Sequence, residues 1–105
     1  MSNNYQHRLA FHNLLRGTER YQEWRQDVFE SVGKQCELCG DRQHLHIHHV
    51  TPFANIVNRF LDQYADYEIP GEEGILLEFA EMDLDLWDIE NGRVLCEFCH
   101  ELEHL

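Results

Sequence analysis

The four cysteines of this chain form two Cys-x-x-Cys pairs, Cys36 with Cys39 and Cys96 with Cys99, and each pair stands beside a group of histidines. A gap of two residues suits a metal knuckle better than a long-range disulfide, and two knuckles together supply the four ligands of a tetrahedral zinc. The 56 residues between the pairs exceed the spacing of about 15 to 20 residues in ordinary zinc ribbons. A structural zinc on these four cysteines is therefore predicted to clamp a larger unit, whose intervening part folds by itself.

The histidines after the second cysteine pair predict a separate, open metal site. His100 and His104 stand four residues apart on a predicted helix over residues 97–105, so both side chains project from one face and can share an ion. Cys99 and His100 are neighbours, and a helix rotates them by about 100° relative to each other, so they can face different metals. One short helix can thus serve both sites.

An alternating stretch from Leu45 to Val50 predicts a short strand that carries further histidines. A regular strand places His48 and His49 on opposite faces. Their adjacency allows one imidazole to ligate an ion while the other takes a proton from water, a role that suits a side chain titrating near neutral pH. His44 and His46 line the exposed face of the strand in this interpretation, and of the two His46 is the one expected to approach the site.

The length of 105 residues fits one domain with a modest core that gains from a structural metal. The chain has no run of about 18 apolar residues, and its first residues are polar, so we expect a soluble cytoplasmic protein with no membrane partner. In a reducing compartment the cysteines are expected to be zinc thiolates rather than disulfides.

The charge is unevenly distributed along the chain. The net charge is −12, and the segment between Phe60 and Gly92 holds eleven acidic side chains and no lysine or arginine, whereas the rest is near neutral at −1. Such a balance argues against broad electrostatic attraction to nucleic acid. A bound divalent ion would raise the potential locally, where a phosphate would lie.

Local patterns predict an α+β domain built mainly of helices. Apolar residues at helical spacing run over residues 5–16 to Gly17, and a second helix runs from an N-cap at Thr18 to a C-terminal cap at Gly33.

After the first strand, Thr51 as N-cap and Pro52 at the first helical position predict a third helix to about Tyr67, followed by a short helix over residues 75–82 and a second strand over residues 93–95. The single domain thus comprises N-terminal helices (1–35), the first zinc knuckle and strand (36–52), an acidic helical insertion (53–90), and the second strand, zinc knuckle and metal helix (91–105).

Five motifs follow one another between residues 24 and 104. They are Trp24-Arg25-x-x-Val28-Phe29, Cys36-Glu37-x-Cys39-Gly40, Leu45-x-Ile47-His48-His49-Val50-x-Pro52-Phe53, Leu86-Trp87-Asp88-Ile89-x-Asn91-Gly92 and Leu95-Cys96-Glu97-x-Cys99-His100-x-x-x-His104. In this order and combination they resemble the HNH endonucleases of the cysteine-knuckle kind that are common in phages. The resemblance implies a ββα-metal fold, or His-Me finger, in which two antiparallel strands and a helix grip a catalytic divalent ion. The four cysteines would hold a separate zinc.

The resemblance also implies roles for individual residues. His48 is similar to the metal ligand at the end of the first strand and His49 to the general base, while His100 and His104 match the helix ligands. Asn91 resembles the middle residue of the family name, which orders the loop between the strands and helps to orient the base. The implied reaction is hydrolysis of DNA phosphodiester bonds to leave a 5′ phosphate. Imidazole ligands suit Ni²⁺, Mn²⁺, Co²⁺ or Zn²⁺, and Mg²⁺ is the alternative physiological ion.

The resemblance implies DNA as the partner, and the charge predicts how weakly it is bound. Among only eight lysines and arginines, Arg93 or Arg42 is expected near the scissile phosphate. Because the acidic insertion should repel a DNA backbone, binding by this chain alone is expected to be weak and sensitive to salt. A protein partner or a homodimer would then supply the missing affinity, in the host cytoplasm if the protein is encoded by a phage.

Two alternative functions compete with the nuclease. The first is a catalytically weak or inactive zinc-stabilised module whose acidic insertion engages a basic protein surface, as in a phage DNA-packaging assembly. The second is a DNA mimic, in which the acidic segment competes with DNA for a basic protein. The apolar stripe from Phe53 to Tyr64 argues against the mimic, because it predicts that much of the insertion packs as an ordinary helix.

Overall fold

The computed structural model describes residues 5–103. Over that range the chain forms helices and one two-stranded antiparallel sheet, which confirms the predicted α+β class. In chain order the elements are α1 (Tyr5–Arg16), α2 (Glu19–Ser31), β1 (Leu45–His49), α3 (Phe53–Gln63), α4 (Glu73–Glu81), a short 3-10 helix (Ile89–Asn91), β2 (Gly92–Cys96) and α5 (Glu97–Leu102).

The described residues form two compact units. We call residues 5–22 with 51–87 the helical unit, and residues 23–50 with 88–103 the sheet unit. Each unit contains four lysines or arginines and ten acidic residues, so each carries a net charge of −6. Nine of the eleven acids between Phe60 and Gly92 belong to the helical unit, yet the sheet unit is as negative as the helical unit.

The helical unit buries the predicted apolar stripe of α3 from Phe53 to Leu61, whereas Tyr5 and Leu9 of α1 and Ile75 of α4, which helical spacing also predicts to be buried, are exposed. The ring of Phe11 on α1 stacks on that of Phe60 on α3, with 6.2 Å between the ring centroids. Full burial of a large apolar side chain contributes about 1.5–3 kcal/mol, so this packing stabilises helices that are too short to persist alone. The buried apolar side chains of these three helices are Phe11 and Leu15 of α1, Phe53, Ile56, Val57, Phe60 and Leu61 of α3, and Leu76 and Ala80 of α4.

Both predicted caps of α2 are confirmed. The Thr18 hydroxyl oxygen accepts a hydrogen bond from the backbone N–H of Tyr21 at 3.2 Å, which satisfies one of the unpaired donors of the first turn. At the other end Gly33 adopts a φ of 78°, and the N–H of Lys34 donates to the carbonyl oxygen of Phe29 at 2.9 Å. A left-handed glycine with this reversed bond is the Schellman end of a helix.

The predicted limits of α3 were wrong at both ends. Pro52 has a ψ of 135° and therefore lies before the helix as its N-cap, so Thr51 is not the cap and the helix begins at Phe53. The helix ends at Gln63 instead of about Tyr67, because Tyr64 leaves helical dihedral angles. Its ring stacks on Phe79 at 5.0 Å, and this tertiary contact, which no local pattern encodes, accompanies the early end of α3. No helix among residues 5–103 combines the length and apolarity needed to cross a membrane.

His12 is the buried polar side chain of the described core, with 8% of its surface exposed. Its ring meets the edge of Phe53 at 5.7 Å. Burial, helped by the positive charge of Arg16, lowers the pKa of His12, although a hydrogen bond with the backbone of Ala54 acts in the opposite direction. The uncharged imidazole is therefore the form that the fold accommodates.

This pKa shift predicts a loss of stability in mild acid. Because the folded-state pKa of His12 lies below the unfolded-state value of about 6.5, the unfolded chain binds more protons as the pH falls through that range, and the free energy of unfolding decreases with it. Urea denaturation at a series of pH values should show this slope, and His12→Gln should flatten it. His7→Gln, on the same helix, is the matched control; an unchanged slope in His12→Gln would contradict the assignment.

The sheet sets the placement of the histidines in the sheet unit. β1 and β2 pair with Leu45 opposite Cys96 and His49 opposite Gly92, and residues directly opposite each other share a face. Side chains alternate between the faces, which gives two sets. The His48 face carries His46, His48, Arg93 and Leu95, and the His49 face carries Leu45, Ile47, His49, Gly92, Val94 and Cys96.

Candidate metal centre and histidine cluster

The two cysteine pairs meet in the sheet unit as predicted. Their four sulfur atoms lie within 4.8 Å of one another, and all four residues are free thiols. The Sγ atoms of Cys39 and Cys96 are 3.6 Å apart, and a tetrahedral zinc with bonds of about 2.3 Å would separate its sulfur ligands by about 3.8 Å. Cys36, Cys39, Cys96 and Cys99 can therefore hold a metal ion such as zinc.

Two hydrogen bonds of Glu37, one from its backbone and one to its side chain, fasten the first knuckle to β2. The N–H of Glu37 donates to the carbonyl oxygen of Val94 at 2.9 Å, and the N–H of Val94 donates to the Glu37 carboxylate at 2.7 Å. The knuckle itself is a tight turn in which the N–H of Gly40 donates to the carbonyl oxygen of Cys36, and Gly40 has a φ of 79°. Glu37 thus occupies the edge of β2 that β1 leaves open, and it brings Cys36 to the second knuckle.

The second knuckle coincides with the start of α5. Cys96 ends β2 and is also the N-cap of α5, where its sulfur accepts a hydrogen bond from the N–H of Cys99 at 3.5 Å. The strand and the helix together therefore fix the two sulfur atoms without a loop between them. The helix was predicted to reach Leu105; it ends at Leu102, and residues 104 and 105 lie outside the described part of the chain.

Without a bound cation, the thiols of Cys36 and Cys99 differ widely in pKa. Burial, with the neighbouring Cys96 and Cys36 thiols, raises the pKa of Cys99 to about 12. Burial also acts to raise the pKa of Cys36, but hydrogen bonds from the backbone N–H groups of Cys96, Cys39 and Leu38 lower it to about 6. Four thiols this close cannot all ionise unless a cation balances the charge, so deprotonation of the cluster and metal binding are coupled.

On the His48 face of the sheet, three imidazoles lie together. The ring of His48 meets that of His100 at right angles, with 5.7 Å between centroids and 72° between planes. The ring of His46 stacks on the same His100 ring at 5.1 Å and 14°. We call His46, His48 and His100 the histidine cluster. Among the described residues, only the cysteine sulfurs form a group of three or more metal-binding side chains with every ligand atom within 4.8 Å of the others.

On the opposite face, His49 lies flat against Trp24 of α2. The two rings are 4.7 Å apart at 15°, and Trp24 is itself 1% exposed, with its indole N–H donating to the carbonyl oxygen of Asp88 at 3.0 Å. The Nε2 atom of His49 lies inside the fold. The predicted separation of His48 and His49 onto opposite faces is confirmed.

Asn91 and Gly92 connect this arrangement to the start of β2. The carbonyl oxygen of Asn91 accepts a hydrogen bond from the N–H of Val50 at 2.9 Å, so the residue after His49 is tied to the turn before β2. A side chain at Gly92 would place its Cβ 2.8 Å from Val28 and 3.1 Å from Trp24. Only glycine lets β2 approach α2 closely enough for Trp24 to lie beneath His49.

The remaining predicted site residues are distributed as follows. His104 lies outside the described residues. Arg93 is on the His48 face, opposite His48 in the sheet, and pairs with Glu103 at 3.6 Å. Arg42 lines a surface groove together with Lys34, Gln26, Phe29 and Leu45. Every candidate site residue that is described therefore belongs to the sheet unit.

Two contacts at the site were not predicted from the sequence. The contact of Trp24 with His49 joins residues 25 positions apart, which no local spacing can indicate. Glu37 stands between the cysteines of the first knuckle, and its bond to Val94 likewise spans 57 positions. The one sequence signal for the contact of Glu37 with Val94 was the position of an acidic residue between the two cysteines of a metal knuckle.

No family model, curated protein or solved structure matches this chain.

Proposed function

We propose that this protein is a metal-dependent DNA endonuclease with a ββα-metal core formed by β1, β2 and α5, and a structural zinc on the four cysteines. The observation that carries the proposal is that two adjacent histidines at the end of β1 lie on opposite faces of the sheet. His48 faces His100 on one side of the sheet, while His49, the last residue of the strand, lies against Trp24 on the other. Adjacent imidazoles with different surroundings suit one metal ligand and one general base.

The donor set supports an ion at the histidine cluster. Neutral imidazoles suit Ni²⁺, Mn²⁺, Co²⁺ and Zn²⁺, and the rings of His48 and His100 lie 5.7 Å apart on one face of the sheet. His104 remains the additional ligand that the family resemblance predicts. A divalent ion held there would stabilise the negative charge of the phosphate and of the departing 3′ oxygen.

On the face of the sheet opposite the histidine cluster, His49 and the residues around it would activate the attacking water. His49 accepts a proton from the attacking water, and because its Nε2 atom is buried, Nδ1 is the atom assigned to that task. The Trp24 ring prevents the imidazole from tilting, and the hydrogen bond between Val50 and the carbonyl oxygen of Asn91 holds the strand end in place. A general base that is positioned in advance contributes about 10²–10⁴-fold to the rate.

Phosphate contacts must come from few cations, because the sheet unit carries a net charge of −6. Arg93 shares a face with His48, and a phosphate at the ion would compete with Glu103 for its guanidinium group. Arg42 and Lys34 share a groove with Phe29, over whose ring Arg25 lies at 5.8 Å. So few phosphate contacts on an acidic background imply weak binding that declines with salt.

Cleavage of supercoiled plasmid DNA tests the proposal. We expect nicked or linear DNA when Mn²⁺, Ni²⁺ or Mg²⁺ is added to zinc-containing protein, and intact DNA without an added ion. His100→Ala should lower the rate about 100-fold or more, since an ion that stabilises the reacting phosphate supplies several kcal/mol. His44→Asn is the matched control, because asparagine tolerates the φ of 53° at that position.

The same assay separates the nuclease from the binding module. Protein that retains one zinc and binds a basic protein, yet leaves plasmid intact with all three ions, would favour the interaction module. The negative charge of both units is the observation that supports the interaction module.

A further inference from the structure

The third imidazole of the histidine cluster was not assigned a role by the family resemblance. His46 is exposed on β1, two residues before His48, and its ring lies 5.1 Å from that of His100. Here two histidines on one strand face both contact the same helix residue.

The spacing of the rings matches that of imidazoles around one ion. With a metal–nitrogen distance of about 2.1 Å, each ring centroid lies about 3.2 Å from the ion. Two such centroids are about 4.6 Å apart at a right angle and about 5.3 Å apart at a tetrahedral angle. The observed separations are 5.1 Å for His46 with His100 and 5.7 Å for His48 with His100, close to these values. The His46 and His100 rings stack at 14°, so one of them has to turn before both nitrogens can face the same ion.

The elements also place the three side chains without help from a loop. His46 and His48 alternate onto one face of β1, and α5 begins directly after β2, so His100 is fixed one turn into the helix. Their nitrogen atoms converge less closely than the cysteine sulfurs, so a shared ion requires rotation about the side-chain torsions. The backbone places the three imidazoles on one side of the sheet.

The geometry points to His46 as a direct ligand of the divalent ion, so that His46, His48 and His100 form its three-imidazole site. This inference rests on the second metal site of the proposed function but not on cleavage itself. It assigns the ion to residues that β1 and α5 carry. A borderline transition-metal ion such as Co²⁺, Ni²⁺ or Zn²⁺ is the class of ion that such a site selects.

Titration of zinc-loaded protein with Co²⁺ tests the inference, because zinc protects the thiols and Co²⁺ reports its ligands through visible absorption. Calorimetry and absorption should show one Co²⁺ per chain in the wild type. His46→Ala should weaken Co²⁺ binding at least about tenfold, as should His100→Ala, whereas His44→Asn should leave it unchanged. Wild-type affinity in His46→Ala, or no Co²⁺ binding by the zinc-loaded wild type, would overturn the inference.

A second variant distinguishes a ligand from a residue that only positions His100. His46→Cys should retain Co²⁺ and add an intense near-ultraviolet thiolate-to-cobalt band, which requires a direct bond. Bound Co²⁺ with the spectrum of the wild type would show that position 46 does not ligate the ion. Because these readouts need no DNA, a failure of the plasmid assay would count against the nuclease and leave the metal assignment standing.

Discussion

Cys96→Ser is expected to abolish zinc binding and to unfold the sheet unit. Cys96 is buried, ends β2, caps α5 and places its sulfur 3.6 Å from that of Cys39. Zinc binding to a structural site of this kind is worth on the order of 10 kcal/mol, which is as large as the stability of a typical small domain. The short sheet and the six residues of α5 could not persist without it.

Two measurements check this expectation. Metal analysis should fall from one zinc per chain to none, and hydrogen exchange of the β1 and β2 amides should lose its protection. Leu38→Ser is the matched control, since Leu38 lies between the cysteines of the first knuckle, is 56% exposed and contributes no ligand atom. Cys96→Ser protein that retains a full equivalent of zinc and protected strands would show that the cluster does not hold the fold together.

Removal of the metal should have the same effect on the wild type. Deprotonation of Cys99 depends on a cation, because burial and the neighbouring thiols raise its pKa to about 12. A chelator would therefore leave Cys99 protonated and release the two knuckles from each other. For this reason the ion of the proposed catalytic site has to be withheld or added, rather than removed by chelation, in any cleavage experiment.

Local sequence patterns were sufficient wherever the responsible interaction is also local. The knuckles were recognised from a gap of two residues, and the ends of α2 from Thr18 and Gly33, because capping acts within one turn of the helix. The alternation in β1 correctly placed His48 and His49 on opposite faces. In each case the residues that interact are neighbours in sequence.

The sequence patterns were insufficient where a distant partner decides the outcome. The early end of α3 accompanies a contact of Tyr64 with Phe79, and the orientation of His49 depends on Trp24 of α2. The stacking of His46 on His100 joins residues 54 positions apart. The sequence analysis expected His46 to approach the site, but only the course of α5 shows that its ring stacks on that of His100.

His49→Ala is expected to lower the rate of DNA cleavage by about 10²–10⁴-fold, the usual contribution of a general base. Its ring lies on the opposite face of β1 from the histidine cluster, so its loss should leave both metal sites intact. Zinc content and Co²⁺ affinity of the variant should therefore equal those of the wild type. This combination separates a base from a ligand, since His100→Ala should lose the ion and the activity together.

Removal of the His49 side chain leaves a cavity beside Trp24, and this cavity allows a second test of His49 as the general base. Imidazole added to His49→Ala can occupy the space above the indole ring, and we expect it to restore part of the lost rate. His44→Asn with added imidazole shows whether the compound acts on the wild-type reaction. A His49→Ala variant that cleaves at the wild-type rate would remove His49 as the base, and a slow variant that imidazole does not rescue would point to a structural role beside Trp24.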